Sequence, residues 1–207
     1  MDKEIYFKEV KNLHRGDLIF VHVKPEYAEK AGVNGILGTL IQYGTGEFAH
    51  VETYYGNKDG NHRTILEANG NKVAWNSLDR YLAHAKAFRL VFKRLRDVNV
   101  DDIKAMETEM YRQVGVEYDK GQLVGLGIKS ALTKIPILGF FINKFIWSVP
   151  TPFASKEKLI CSESAALICM APKNPDGKPK YGSICQDNVT PSSLARNPLL
   201  RTIGEVG

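Results

Sequence analysis

Two runs of β-branched and aromatic residues, Ala49-His50-Val51-Glu52-Thr53-Tyr54-Tyr55 and Thr64-Ile65-Leu66-Glu67-Ala68, are separated only by the stretch from Gly56 to Asn61, rich in Gly, Asn and Asp. Such a pair predicts an antiparallel hairpin, because each run has strand propensity and the residues between them are those that reverse a chain. Residues two apart on a strand share a face, so His50 and Glu52 point the same way. Glu67, on the neighbouring strand, can lie across from His50.

Further elements follow on either side. Gly16-Asp17 leads into Leu18-Ile19-Phe20-Val21-His22-Val23, which reads as a buried strand entered from a turn. His22 belongs to that strand's packing. Glycines at 32, 35, 38, 44 and 46 then mark a loop-rich excursion. After the hairpin, Asn69-Gly70-Asn71 turns the chain, Val73-Ala74-Trp75 forms a third short strand, Ser77 caps a short helix over 78–82, and Ala87 to Phe92 is strand again. Asp101-Asp102 opens a helix carrying Ile103, Met106, Met110 and Val114 at helical spacing and ending near Gly115. Tyr118-Asp119 falls in a loop. Cys161, Ala165, Ile168 and Cys169 mark one apolar face of a helix limited by Pro172, and Thr190-Pro191 is an N-cap followed by proline at the first helical position.

Composition narrows the field of functions. A chain of 207 residues, 43% hydrophobic and 25% charged, suits one globular domain over residues 1–207. The net charge of +5 favours approach to anionic surfaces without specifying a fold. The densest basic cluster, Lys93-Arg94-Leu95-Arg96, comes without any base-reading motif, so no nucleic-acid partner is expected. Three cysteines, Cys161, Cys169 and Cys185, are too few for a disulfide framework. The N-terminus has no signal-peptide pattern, and Lys129, Lys134, Pro136 and Lys144 interrupt the apolar region 123–149, so no spanning helix is expected. By default the location is cytoplasmic, or phage-associated.

The chemistry concentrates on three residues. A thiol attacks as thiolate, and unpaired backbone N–H groups at a helix start favour negative charge; Cys161 sits there. His50, at the start of a strand, offers a base whose Cα the sheet fixes. Glu67 can accept the second ring N–H, completing nucleophile, base and orienter. Glu52 competes for the orienting role, although its side chain runs parallel to that of His50. A metal site from His50, Glu52 and Glu67 has too few histidines for a zinc signature, so neither metal nor cofactor is expected.

The order Gly16-Asp17-Leu18-Ile19, Ala49-His50-Val51-Glu52, Leu66-Glu67-Ala68, Tyr118-Asp119, Cys161-Ser162-Glu163 and Thr190-Pro191-Ser192-Ser193-Leu194 resembles the circularly permuted branch of the NlpC-type papain-like cysteine hydrolases, the permuted amidases. The resemblance spans nearly the whole chain. It implies an α+β fold, an antiparallel sheet packed against helices, with the cysteine-bearing helix near the C-terminus. It also implies a catalytic set of Cys161, His50 and Glu67, with Tyr118 near the oxyanion. Two departures stand out. The stretch between Tyr118 and Cys161 is long and apolar where unpermuted enzymes have a short Gly-rich link. Glu52 occupies a position where glycine is common, which leaves a substrate-binding role open to it.

The implied activity is amide hydrolysis through an acyl-enzyme, on a peptide or peptidoglycan-type amide. The permuted order is also similar to the lecithin–retinol acyltransferase relatives, which implies lipid acyl chemistry with residues 137–149 meeting a lipid or membrane surface. A non-catalytic binding module on the same fold is the third reading.

Overall fold

The computed structural model describes residues 3–27, 42, 46–119, 158–184 and 189–207. The apolar region 123–149, most of the glycine-punctuated excursion and Cys185 lie outside the described residues. No described helix is long and apolar enough to cross a membrane.

Six strands form one antiparallel sheet: β1 (Leu18–Val23), β2 (His50–Lys58), β3 (Asn61–Ala68), β4 (Val73–Ser77), β5 (Phe88–Leu95) and β6 (Leu200–Val206), in spatial order β4-β3-β2-β1-β5-β6. The helices are α1 (Lys3–Val10), α2 (Arg80–Ala83), α3 (Val100–Gln113), α4 (Cys161–Met170) and α5 (Pro191–Ala195). This is the expected α+β architecture, with the cysteine helix late in the chain.

The hairpin is tighter than the sequence predicts. β2 continues through Gly56 to Lys58, with register shifts on either side of Gly56, and the reversal falls on Asp59-Gly60. Both turn residues have positive φ, 51° and 83°, the pair of conformations that a two-residue hairpin turn requires. Asp-Gly supplies them, so the glycine at 56 is left for a bulge.

Gly16-Asp17 is a structural device. Gly16 has φ +90°, and its N–H donates to Tyr54 O at 2.9 Å, bringing the entry to β1 against β2. The buried Asp17 carboxylate accepts the His14 N–H and two donors of Arg94 on β5, each at 2.7 Å. A buried carboxylate needs such partners, and here they bind three segments at one point.

The sheet buries both faces. On one face Leu18, Phe20, Val51 and Leu66 pack with Met106 and Met110 of α3 and with Ala165, Ile168 and Cys169 of α4. On the other, Ile19, Val21, Tyr54, Ile65 and Phe92 pack with Tyr6 and Val10 of α1 and with Tyr81 of α2. Each fully buried large side chain contributes about 1.5–3 kcal/mol. Asn99 and Asp102 cap α3 reciprocally, and Thr190 and Ser193 do the same for α5.

Candidate active site

Cys161 is the first residue of α4, preceded by Ile160 in extended conformation, and its side chain is buried. The sulfur therefore lies beside the unpaired N–H groups of the helix start. The lead-in is pinned: Leu159 N–H donates to Glu117 O and Asp119 N–H to Leu159 O, both at 3.1 Å, so Tyr118 pairs in parallel with Leu159. Tyr118-Asp119 is thus a strand-like contact rather than a loop. It brings the buried Tyr118 ring near the sulfur, whose charge adds to burial in raising the phenol well above the ordinary tyrosine range.

His50 opens β2, so its ring stands at the end of the sheet, where it reaches the start of α4. More than a hundred residues separate His50 from Cys161 along the chain, yet the fold brings the Cys161 sulfur close enough to act on the titration of the imidazole. The Nε2 atom of His50 lies 3.2 Å from Glu67 Oε2 and 3.6 Å from Glu52 Oε1. The ring retains 21% exposure, enough for a ligand to approach one edge. Burial pulls the imidazole's titration down, but the charge and hydrogen bond of Cys161, then Glu67 and Glu52, outweigh it and hold His50 well above its ordinary 6.5. A thiol, an imidazole and a carboxylate in this sequence of contacts can generate a thiolate nucleophile and deliver a proton.

Glu67 and Glu52 share the His50 face of β3 and β2, and both are almost wholly buried. Burial pushes Glu67 up, yet the His50 contact and Arg80 overcome it and hold the carboxyl at about 2. Burial pushes Glu52 up to about 7, with Glu67 adding to the push and Arg80 opposing it. Glu52 Oε1 accepts from the Tyr81 hydroxyl and from Arg80 Nη2, the latter at 2.6 Å. With its side chain 0% exposed, Glu52 reaches His50, Arg80 and Tyr81 and lies behind the imidazole.

Sequence reasoning missed Arg80 and Asn76. Asn76 of β4 donates to Glu67 Oε1 at 2.6 Å, and the Arg80 guanidinium pairs with both oxygens of Glu67. Two carboxylates on one face of a hairpin call for a nearby cation, and that signal points to the basic residue of the helix following β4.

The Thr190-Pro191-Ser192-Ser193 segment joins the two halves of the site. Ser162, next to Cys161, donates to Val189 O at 2.6 Å, and Ser192 Oγ accepts the N–H of Phe48, two residues before His50, at 2.8 Å.

A family model described as permuted papain-like amidase enzyme, YaeF/YiiX, C92 family, matches residues 12–125, more than half of the chain. The chain belongs to this family of permuted papain-like amidases. The matched span holds His50, Glu67 and Tyr118 and stops before Cys161. The fold is similar to the crystal structure of metalloprotein YiiX from Escherichia coli O157:H7, with a TM-score of 0.50 and 15% identity over 92% of this chain and 96% of that one. Among curated proteins none matches. Membership makes this chain an amidase-type hydrolase at the level of the family.

Proposed function

We propose that the protein hydrolyses amide bonds in peptides, with a peptidoglycan-type peptide as the substrate class, using Cys161 as nucleophile, His50 as acid and base, and Glu67 as the group that orients His50. The closeness of Cys161 to an imidazole held on Glu67 supports this reading.

In the first step the Cys161 thiolate attacks the amide carbonyl carbon, and the carbonyl π electrons move to oxygen. The oxyanion is met by the Cys161 backbone N–H and by the Tyr118 hydroxyl, which keeps its proton because burial and the sulfur's charge disfavour phenolate. The His50 imidazolium gives its proton to the departing nitrogen, the C–N bond breaks, and a thioester remains on Cys161. Neutral His50 then takes a proton from water, the resulting hydroxide attacks the thioester, and the thiolate leaves with the carboxylic acid free. Glu67 stays ionised throughout and stabilises each imidazolium state.

The YiiX structure is titled a metalloprotein. In this chain one donor atom each of His50, Glu52 and Glu67 lies within 4.8 Å of the others. The set does not fit a resident metal: Arg80 already places its guanidinium on three of the four carboxylate oxygens. No step here runs through a metal.

The test is incubation with acyl peptides and muropeptide-type amides, followed by intact-mass spectrometry. Wild-type protein releases amine and carries a thioester on Cys161, while Cys161→Ala and His50→Ala release no amine. Undiminished turnover by Cys161→Ala would overturn the assignment.

A further inference from the structure

Glu52 and Glu67 stand opposite each other on adjacent strands, one register step beyond the Thr53–Leu66 pair. Like charges so placed repel. Both carboxylates also lie near the same ring atom, His50 Nε2, at 3.6 and 3.2 Å. That atom carries one hydrogen, so something must decide which carboxylate receives it.

We infer that Arg80 is a positioning residue: its planar fork grips both oxygens of Glu67, turns that carboxylate onto His50 Nε2, and draws Glu52 aside. The inference rests on the Cys161–His50–Glu67 reading of the site. Nη1 meets Glu67 Oε1, Nη2 meets Glu67 Oε2, and the same Nη2 lies 2.6 Å from Glu52 Oε1. Tyr81 donates to that Glu52 oxygen as well, so the Glu52 atom nearest His50 is already occupied by two donors. Asn76 fixes the other oxygen of Glu67.

The charge balance follows from the count of cations. Among the described residues one guanidinium faces two buried carboxylates, the His50 imidazolium beside them being shared with the Cys161 sulfur, and the second Glu52 oxygen, Oε2, is buried without a hydrogen-bond partner. A bare carboxylate oxygen costs more in the ionised than in the neutral form. The arrangement therefore keeps Glu67 ionised and leaves the proton on Glu52. The groups facing this pair are His50 from β2, Arg80 and Tyr81 from α2, Tyr6 from α1, whose phenol feels the Glu52 charge, and Cys161 from α4 through the ring. Arg80 itself is held by geometry on its own helix, since the N-cap Asp79 accepts from Tyr6 at 3.0 Å and from Arg63 at 2.5 Å. Lysine cannot replace it, because an ammonium is a point charge and does not span two oxygens of one carboxylate plus one of another.

The test is the pH dependence of iodoacetamide alkylation at Cys161, read by mass spectrometry, for wild type, Arg80→Lys and Arg80→Gln. Removing an adjacent guanidinium raises a carboxylate's titration by about one pH unit or more. The acid limb of alkylation moves up by that amount in Arg80→Gln and by less in Arg80→Lys. At a pH below both limbs, alkylation of Arg80→Gln is about tenfold slower than wild type, a purely structural role leaving the limb in place. If Arg80→Gln does not fold, Arg80→Lys carries the test. An acid limb identical to wild type in the folded variant overturns the role of Arg80. Wild-type alkylation that is indifferent to His50→Ala overturns the underlying reading of the site instead, so the two failures are distinguishable.

Discussion

Replacing Glu52 by glutamine tests the electrostatics of the site through stability rather than activity. Burial raises the Glu52 carboxyl to about 7 in the folded protein from about 4.5 for an exposed glutamate. Between those values the folded state holds a proton that the unfolded chain has released, so folding stability falls as pH rises across that window. At ~1.36 kcal/mol per pH unit, the gap corresponds to about 3 kcal/mol of stability that is fully present below pH 4.5 and lost as pH rises to 7. That is a readable fraction of the ~5–15 kcal/mol typical of a domain. Glu67 titrates in the opposite sense: held at about 2, it contributes stability above pH 4.5 that is lost as pH falls toward 2. The two windows do not overlap. Urea unfolding of wild type and Glu52→Gln at pH 4.5 and pH 8 should show wild type losing about 3 kcal/mol more than the variant across that interval. Parallel pH profiles for the two proteins would refute the claim that Glu52 holds the proton.

Other consequences follow from single contacts. Gly16→Ala places a side chain at φ +90° with its Cβ 2.7 Å from Met106 Cε, so it should cost about 1–3 kcal/mol and lower the melting temperature; an unchanged Tm would mean that the turn tolerates a β-carbon. Ser192→Ala removes the acceptor for the buried Phe48 N–H and should cost about 1–3 kcal/mol. Because that bond fixes the approach to His50, kcat should fall with KM little changed; a change confined to KM would contradict this. Burial pushes the Cys169 thiol up to about 12, so iodoacetamide at pH 8 should leave Cys169 unmodified in native protein and label it after denaturation, as peptide mass mapping would report.

Much of this was legible in the sequence because it depends on local pattern. The hairpin, the start of β1, the acidic start and apolar spacing of α3 and the buried face of α4 each follow from short-range pattern. β6 was not read as a strand, since only Leu200 and Val206 at its ends are buried and Gly204 breaks the intervening residues. It becomes a strand by pairing with β5. α1 escaped for a similar reason: among its described side chains only Tyr6 and Val10 are buried, and the sheet supplies their environment.

Within the site, residue types identified Cys161, His50 and Glu67, while the division of labour between Glu67 and Glu52 did not follow from spacing. Strand alternation puts both carboxylates on the histidine's face, and only the tertiary placement of Arg80, Tyr81 and Asn76 distinguishes them. Tyr118 was placed near the oxyanion by resemblance alone. Its contact with the Cys161 lead-in arises from a bridge to Leu159, a pairing across a long interval of chain that no local pattern announces.

The account turns on whether sulfur and imidazole meet, and NMR titration of the His50 ring in wild type and Cys161→Ala addresses that contact directly. The Cys161 charge and hydrogen bond are the largest contributions raising His50, so the wild-type midpoint should lie well above 6.5 and fall markedly in Cys161→Ala. Equal midpoints in the two proteins would mean that the thiol does not sit against the ring, and the proposed nucleophile and base could not act together.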